Sequence, residues 1–191
     1  MTSHLPATMR RLVEPIRLFV TDVDGVLTDG SLLYTDEGES CKRFCVRDGL
    51  ALHLLCRAGI AVGIISGRRS PAVTVRCREL GIRDEMVIQG SRDKAGDLEL
   101  LEKLVGVEDN AVAAMGDDLP DLPLLQRVGF AACPADAVPE VAAACHLICG
   151  ASGGAGAVRE VAELILKAQA RWQELVAPWH AGYAEGEDTS E

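Results

Sequence analysis

Short apolar runs alternate with helical segments along the chain, and this alternation constrains the fold more than any other feature of the sequence. The run Ile60–Ile65 is continuously apolar, as expected of a strand that is buried on both faces. Five more strands are predicted, at Leu18–Asp22, Met86–Gln89, Ala111–Met115, Phe130–Ala132 and His146–Ile148. Strands that alternate with helices form parallel sheets. The sequence therefore predicts a Rossmann-like α/β fold, a doubly wound parallel sheet with helices on both faces.

Capping residues mark the starts of the helices between these strands. Asp48 is predicted to cap a helix that ends at Arg57, and Ser70 is predicted to cap a second helix that begins with Pro71. Further helices are predicted at Lys94–Leu104, Asp118–Arg127 and Gly156–Leu175, the last of which is the longest.

The segment Ser31–Val46 does not follow the alternation. Apolar pairs flank a polar centre, which predicts a β-hairpin with its turn near Glu37-Gly38. This hairpin, the flap, follows the first strand and projects over the sheet edge where open parallel sheets bind ligands, but it is too short to be a cap domain. We expect a single domain over residues 18–177, with an N-terminal extension at 1–17 and a C-terminal tail at 178–191 whose end is disordered.

Charge and cysteine content exclude several classes of partner. Nineteen basic and 29 acidic side chains give a net charge of −10, which argues against nucleic acid or an anionic membrane as the main partner. No apolar run approaches the roughly 20 residues that a membrane-spanning helix requires. The seven cysteines include no C-x-x-C pair, so we expect reduced thiols in a cytoplasmic protein.

The first predicted strand brings two carboxylates to the carboxyl edge of the sheet. Asp22 and Asp24 are two positions apart, so in an extended chain their side chains face the same way and can converge on one ligand. Gly25 permits the sharp turn that follows. Taken alone, such a pair of acids also fits an Asx-turn with solvated side chains.

Three later motifs favour a phosphoryl-transfer site over that simpler interpretation. Ser66 and Gly67 end the second buried strand and offer a hydroxyl and backbone N–H groups to a phosphoryl oxygen. Lys94 begins a helix, where its ammonium and the helix dipole together neutralise an anion. A cluster of acids follows another strand, at Asp117, Asp118 and Asp121. A turn, a solvated charge or a helix cap explains each motif separately, but their order along the chain predicts phosphoryl transfer.

These motifs resemble those of the haloacid dehalogenase superfamily of phosphatases over about Leu18–Ala168. A narrower resemblance rests on the segments Asp22–Gly30, Phe44–Gly49, Gln89-Gly90 and Gly153–Glu160. They are similar to the capless, tetrameric branch that hydrolyses 3-deoxy-D-manno-octulosonate 8-phosphate in the synthesis of a lipopolysaccharide precursor. The resemblance implies a Mg²⁺-dependent phosphoric monoester hydrolase.

The same resemblance implies how the reaction proceeds. Asp22 is the nucleophile that forms an aspartyl-phosphate, and Asp24 protonates the leaving oxygen before it activates the attacking water. Mg²⁺ is the implied cofactor because it offsets the repulsion between a carboxylate and a phosphate dianion. Its implied ligands are the carboxylates of Asp22 and Asp117 and the backbone carbonyl of Asp24, all hard oxygen donors.

Other residues are implied to hold the phosphate or to support the metal site. Ser66, Gly67 and Lys94 match the positions that bind the phosphoryl oxygens. Asp118 and Asp121 match positions behind the metal ligands, where they orient those ligands or stabilise the loop. The resemblance therefore assigns every acid of the cluster a role.

The resemblance also indicates residues that contact the sugar acid: Val46, Arg47, Asp48, Gly49, His53, Arg68 and Arg76. A guanidinium fork suits the carboxylate of an eight-carbon keto acid. For Arg76 an exposed helix charge is the alternative. This chain departs from the family pattern of arginine, tyrosine and arginine at three positions, His53, Leu50 and Ala155. Those departures concern the substrate and not the chemistry.

Two other functions stay open on the sequence. One is a phosphatase for another acidic sugar phosphate, such as a nonulosonate 9-phosphate, although Arg68 favours the octulosonate because a related branch has lysine there. The other is a non-catalytic regulatory domain of the same fold, which the presence of both Asp22 and Asp24 disfavours.

Assembly into a homotetramer is expected because a capless site is open to water. The flap at 31–46 is predicted to cover the site of a neighbouring subunit. The final helix, with Trp172 and Trp179 near its end, offers apolar surface for the same assembly. Packing of Trp172 on its own subunit is the alternative.

Overall fold

The computed structural model describes residues 6–180, apart from the side chains of Glu39, Ser40 and His180. Within that part the chain forms the strands β1 (Leu18–Thr21), β2 (Leu33–Thr35), β3 (Gly38–Cys41), β4 (Ala61–Ser66), β5 (Val87–Gln89), β6 (Val112–Met115), β7 (Phe130–Cys133) and β8 (Leu147–Ile148). Its helices are α1 (Ala7–Val13), α2 (Val46–Arg57), α3 (Pro71–Glu79), α4 (Lys94–Val105), α5 (Leu122–Leu125), α6 (Pro139–Ala144), α7 (Ala157–Ala168) and α8 (Trp172–His180). Short 3₁₀ turns lie at Asp84–Met86, Asp109–Ala111 and Leu119–Asp121.

Six of the strands form one parallel sheet in the order β5-β4-β1-β6-β7-β8. The central strand β1 pairs with β4 from Leu18↔Ala61 and with β6 from Leu18↔Val112. All four residues of β1 are buried, which suits its continuous apolar sequence. The carboxyl end of β1 therefore lies between the carboxyl ends of β4 and β6, and the residues that follow these three strands meet at one sheet edge.

The helices form two groups, as expected for right-handed crossovers that reverse direction at the middle of a sheet. In one group α7 packs against both α2 and α1, and in the other α5 packs against both α4 and α6. Side chains from both groups enter the buried core, including Leu52, Leu101 and Ile165. The predicted doubly wound sheet with helices on both faces is confirmed.

The flap forms as predicted. Strands β2 and β3 pair antiparallel, from Leu33↔Cys41 to Thr35↔Gly38, around a two-residue turn at Asp36-Glu37. Gly38 follows that turn with φ +117°, a conformation that glycine tolerates. The β2 side chains are exposed, and Val46 belongs to α2 and not to the hairpin. In the described chain this hairpin alone is inserted between β1 and α2, so no cap domain stands there.

The prediction of one long final helix is wrong. Helix α7 ends at Ala168, and Ala170 adopts a left-handed conformation with φ 56°. The Arg171 N–H donates to the Leu166 carbonyl at 2.8 Å, which is the closing bond of a Schellman motif. Glycine is usual at such a position, so the alanine gave no local sign of the break.

Two helix starts differ from the predictions. Helix α2 begins at Val46, before Asp48, so Asp48 does not cap it. The predicted helix Asp118–Arg127 is a 3₁₀ turn followed by the short α5. The start of α3 is confirmed, with Ser70 at the N-cap and Pro71 as the first helical residue, but the Ser70 side chain makes no cap bond. The Gln89 side chain instead accepts from the Ser70 N–H at 2.8 Å.

Both ends of the described chain are helical. The predicted extension at 1–17 contributes α1, whose Val13 is buried, and the Gln169 side chain donates to the Ile16 carbonyl at 2.8 Å. Helix α8 continues to His180, and the predicted disordered end of the tail lies outside the described residues. Between residues 6 and 180, no helix combines the length and the apolar character that crossing a membrane demands.

Candidate active site

Asp22 lies at the centre of the carboxyl edge of the sheet, immediately after β1. Its backbone N–H donates to the Met115 carbonyl at 3.0 Å, and its side chain is buried, with 6% of the residue exposed. Burial raises the pKa of Asp22 to about 6; the Lys94 ammonium lowers the pKa, and the Asp121 carboxylate raises it. The side chain is thus a carboxylate with little water around it, which is the state that a nucleophile needs.

Three carboxylates converge at this point. One oxygen each of Asp22, Asp117 and Asp121 lie within 4.8 Å of one another. Burial and then the charges of the neighbouring acids raise the pKa of Asp117 to about 7. Gly25, with φ +92°, makes room for the Asp117 carboxylate, because a Cβ there would lie 2.0 Å from Asp117 Oδ2. Crowded hard-oxygen donors with raised pKa values fit a divalent cation such as Mg²⁺.

Lys94 is the first residue of α4 and the buried cation of the cluster. Its Nζ lies 2.8 Å from Asp22 Oδ1 and 2.5 Å from Asp121 Oδ1, and 8% of the residue is exposed. Burial opposes the charge, but the two carboxylates outweigh it and raise the pKa of Lys94. Asp93 caps the helix by accepting from the Gly96 N–H at 3.0 Å. The ammonium therefore sits at a helix N-terminus, where anions bind well.

Asp121 and Asp118 stabilise the loop that carries Asp117. Asp121 is 1% exposed, and its Oδ2 accepts from the backbone N–H groups of Asp117 at 3.0 Å and Asp118 at 3.3 Å. Asp118 is exposed and accepts from the Leu119 N–H at 2.8 Å. The two side chains form a capping box, so both act through the backbone that holds Asp117.

Ser66 and Gly67 lie beside Asp22 because β4 extends past the end of β1. Thr21 pairs with Ile64, so Ser66 stands level with the residues that follow β1. Ser66 is 2% exposed, and its Oγ accepts from the Arg68 N–H at 3.3 Å. Its carbonyl accepts from the Gly90 and Ser91 N–H groups. The turn thus carries the Ser66 hydroxyl to the same sheet edge as Asp22, and its binding of a phosphoryl oxygen stays a prediction.

Asp24 meets residues of the flap that the sequence interpretation missed. The Lys42 ammonium donates to Asp24 Oδ1, although Lys42 belongs to the segment that returns from the hairpin. Arg68 Nε lies 4.0 Å from Asp24 Oδ2, and Arg68 Nη2 donates to the Tyr34 hydroxyl at 2.7 Å. Nothing in the local sequence marks Lys42 or Tyr34, because both contacts depend on how the hairpin folds over the sheet.

The residues predicted to contact the sugar acid lie in different parts of the structure. Arg68 lies beside Asp24. Val46 is 78% exposed and lies with exposed His53 on the outer side of α2. Arg76 lies 3.2 Å from Glu79 and crosses Gly49, where a Cβ would lie 2.1 Å from Arg76 Nη2. Of the predicted arginines, the structure places Arg68 beside Asp24.

Asp48 and Arg47 contact the start of α7. Asp48 is 1% exposed and accepts from the Gly156 N–H at 3.1 Å and the Arg159 N–H at 2.8 Å. It caps α7, 108 residues further along the chain, and burial raises its pKa. Arg47 Nη2 donates to the Ala155 carbonyl at 2.7 Å. The side chain of Asp48 is therefore used by the fold and turned away from solvent.

The loop before α7 supports the turn after β1. The Gly154 N–H donates to the Val26 carbonyl at 2.9 Å. A Cβ on Gly153 would lie 1.9 Å from the Gly25 carbonyl oxygen, so only glycine permits this approach of two backbones. The segment that resembles a family motif at 153–160 thus holds the backbone that presents Asp24.

Comparisons with known proteins agree with this geometry. Residues 82–160 match the haloacid dehalogenase-like hydrolase family. The chain is 42% identical over 162 residues to the 3-deoxy-D-manno-octulosonate 8-phosphate phosphatase of Escherichia coli K12, covering 84% of this chain and 85% of the relative. The Haemophilus influenzae relative of the same name is 40% identical over 163 residues, covering 85% of this chain and 89% of the relative.

Solved structures show the same relationship. The Moraxella catarrhalis 3-deoxy-D-manno-octulosonate 8-phosphate phosphatase, crystallised with a magnesium ion, a phosphate ion and a KDO molecule, superposes with a TM-score of 0.87 at 41% identity over 92% of this chain and 99% of that one. The Yersinia pestis phosphatase of that name has a TM-score of 0.84 at 38% identity, covering 87% of this chain and 89% of that one. The chain therefore belongs to the haloacid dehalogenase-like hydrolases, in the family of the 3-deoxy-D-manno-octulosonate 8-phosphate phosphatases.

Proposed function

We propose that the protein is a Mg²⁺-dependent phosphatase that hydrolyses 3-deoxy-D-manno-octulosonate 8-phosphate to the free sugar acid and phosphate. The observation that carries the proposal is the position of Asp22, a buried carboxylate with Lys94 on one side and Asp117 on the other. Relatives with this name and a related structure that holds magnesium, phosphate and the sugar acid support it. The proposed phosphatase domain is residues 18–177, and its product serves lipopolysaccharide precursor synthesis.

The carboxylates of Asp22 and Asp117 and the backbone carbonyl of Asp24 are the proposed ligands of Mg²⁺. When bound, the ion supplies positive charge that offsets the repulsion between the attacking carboxylate and the phosphate dianion. The convergence of the Asp22, Asp117 and Asp121 carboxylates beside the buried Lys94 ammonium supports a divalent cation at this place. Asp118 and Asp121 hold the Asp117 loop and are proposed as supports and not as ligands.

The reaction follows from the positions of the side chains. The Asp22 carboxylate attacks phosphorus, the bond to the sugar oxygen breaks, and Asp24 gives its proton to that oxygen. A water then gives its proton to Asp24 and attacks the aspartyl-phosphate, which releases inorganic phosphate and restores Asp22. Ser66, Gly67 and Lys94 hold the phosphoryl oxygens, and Lys94 also balances the charge of the nucleophile.

The sugar acid is proposed to lie under the flap. Arg68 stands beside Asp24 with its side chain 41% exposed, so its guanidinium can meet the carboxylate of the substrate. The further proposed contacts of the sugar are Val46, Arg47, Asp48, Gly49, His53 and Arg76. Of these, Asp48 and Gly49 are buried, so their proposed contribution is indirect. The Asp48 side chain holds the start of α7, and Gly49 makes room for Arg76.

A homotetramer is proposed as the active assembly. The flap exposes 59% of Leu33 and 57% of Tyr34, and α2 exposes 78% of Val46 and 38% of Leu50. Exposed large apolar side chains are typical of a surface that a second copy covers, and such a contact would bring the outer face of α2 close to another subunit. Sedimentation of the parent and of Val46→Glu tests this, and a fully active monomer at assay concentration contradicts it.

We propose a cytoplasmic location because the cysteines are free thiols. All seven are unpaired, and three of them, Cys77, Cys133 and Cys149, are buried. Unpaired cysteines are usual in a reducing compartment. A disulfide found in the protein as isolated under non-reducing conditions would contradict this location.

Phosphate release from a panel of esters tests the function. The panel contains 3-deoxy-D-manno-octulosonate 8-phosphate, a nonulosonate 9-phosphate, glucose 6-phosphate and p-nitrophenyl phosphate, each with Mg²⁺ and with EDTA. We expect Mg²⁺-dependent release, fastest from the octulosonate. Faster release from the nonulosonate 9-phosphate would identify a different acidic sugar phosphate as the substrate. No release from any ester would indicate a non-catalytic regulatory domain.

A further inference from the structure

The flap contributes a buried lysine to the proposed catalytic centre. The Lys42 side chain is 1% exposed, whereas its neighbour Arg43, which pairs with Asp29, is 81% exposed. Lysine is rarely buried unless its charge is paired, because removing an ammonium from water is costly. The Lys42 ammonium donates to Asp24 Oδ1. An ion pair that buries a lysine of the flap against the turn after β1 therefore requires a structural or functional explanation.

This contact distinguishes the two oxygens of Asp24. Oδ1 is engaged by Lys42, whereas Oδ2 is buried and accepts no hydrogen bond from the described residues. Arg68 Nε lies 4.0 Å from Oδ2. A carboxylate held at one oxygen cannot rotate freely, so its orientation at the sheet edge is fixed. Orientation of this kind is worth a large factor in a proton-transfer step.

We propose that Lys42 is a positioning residue that holds the Asp24 carboxyl group in the orientation from which it delivers a proton to the leaving oxygen. The inference rests on the proposed function. As the Asp22 oxygen bonds to phosphorus and the ester P–O bond breaks, the Asp24 carboxyl group gives its proton to the departing oxygen, which leaves as a neutral alcohol. In the second half the attacking water gives a proton back to Asp24. Lys42 acts through Asp24 in this scheme and neither gives nor takes a proton.

Leaving-group dependence separates this role from other roles of a buried lysine. p-Nitrophenolate leaves readily without a proton, whereas the more basic phenolate depends on one. Loss of orientation at Asp24 must therefore slow phenyl phosphate more than p-nitrophenyl phosphate. A lysine that holds the phosphoryl group, or that merely supports the fold, affects both esters alike. Neither ester has a carboxylate, so binding of the sugar acid cannot produce the difference.

The test measures kcat and kcat/KM for both esters with Mg²⁺, in the parent, Lys42→Gln, Lys42→Arg and the control Arg43→Gln. We expect Lys42→Gln to raise the ratio of p-nitrophenyl to phenyl phosphate kcat/KM about tenfold or more, mainly through kcat. Lys42→Arg keeps a cation and recovers part of the loss. Arg43→Gln keeps the parental ratio, since its side chain is exposed.

An unchanged ratio in both Lys42 variants, or a loss confined to KM, overturns the proposal. Thermal unfolding accompanies each assay, and if Lys42→Gln does not fold, the ratio in Lys42→Arg decides in the same way. If the parent hydrolyses neither ester, the proposed function itself is contradicted. If the parent is active but the ratio is unchanged in both Lys42 variants, only the proposed role of Lys42 is contradicted.

Discussion

Lys94 Nζ lies 2.8 Å from Asp22 Oδ1, and this buried ion pair joins the first residue of α4 to the residue that follows β1. The two positions are 72 residues apart in the chain. Strand β1 is central in the sheet and α4 begins after the edge strand β5, so the pair forms only when the sheet has its full order. The charge balance of the proposed nucleophile thus depends on the fold itself.

Lys94→Met is expected to destabilise the metal-free protein. Removing one partner of a buried ion pair leaves an unbalanced charge, which costs about 3–5 kcal/mol. We expect a lower Tm in EDTA, partial recovery when Mg²⁺ is added, and a loss of about a hundredfold or more in kcat. Lys103→Met is the matched control, because the Lys103 side chain is 74% exposed. A parental Tm in EDTA for Lys94→Met would contradict the assigned role.

Stability and Mg²⁺ binding are expected to depend on pH in linked ways. Folding raises the pKa of Asp22 to about 6 and of Asp117 to about 7, from an ordinary value of 3.8. A raised pKa stabilises the folded state fully below the unfolded value, and that contribution is lost as the pH rises through about 6 to 7. The Tm of the metal-free protein should therefore fall between about pH 5 and about pH 8.

Mg²⁺ binds the ionised carboxylates, so protons compete with it at low pH. The increase in Tm caused by a fixed Mg²⁺ concentration should grow over the same interval. Thermal unfolding in EDTA and in Mg²⁺ at several pH values measures both trends. An increase of the same size at about pH 5 and about pH 8 would show that Asp22 and Asp117 are not the ligands.

Asp48→Ala is expected to reduce stability through α7. The substitution removes two hydrogen bonds to backbone N–H groups at a buried helix start, which costs about 1–3 kcal/mol. Urea unfolding measures the loss, with Asp84→Ala as the control, since Asp84 pairs with Arg78 on the surface. A parental unfolding midpoint together with a large rise in KM for the sugar phosphate would instead make Asp48 a direct substrate contact.

Arg68→Ala is expected to alter selectivity. A hydrogen bond to a charged group contributes about 1.5–3 kcal/mol, so kcat/KM for the acidic sugar phosphate should fall roughly ten- to a hundredfold. p-Nitrophenyl phosphate, which has no distant carboxylate, should lose much less. Arg78→Ala, on an exposed pair, controls for a general change of charge. Equal losses for both substrates would exclude Arg68 as the group that recognises the acid.

The sequence predicted the place of the candidate site because its residues stand at strand ends, and the carboxyl ends of parallel strands meet. Asp22 follows β1, Ser66 ends β4 and Asp117 comes after β6, so the order of the strands places them at one edge. The position of Lys94 was predicted because it is the first residue of a predicted helix. These signals are local, so one sequence is enough to read them.

Residues whose roles depend on distant partners were harder to predict. Asp48 resembles a local helix cap, but its partners are 108 and 111 residues away. Lys42 stands in a hairpin whose side-chain directions depend on how it folds over the sheet. Ala170 ends a helix without the glycine that normally signals it. In each case tertiary packing and not local preference decided the outcome.

Replacement of Asp22 by Asn tests the central claim most directly. The amide keeps the shape of the carboxylate but is a far weaker nucleophile, so the aspartyl-phosphate cannot form. Phosphate release from 3-deoxy-D-manno-octulosonate 8-phosphate in Mg²⁺ is measured for parent and variant, with thermal unfolding as the check on folding. We expect rapid release by the parent and no measurable turnover by a folded Asp22→Asn protein. Activity of a folded variant within about tenfold of the parent would contradict the account.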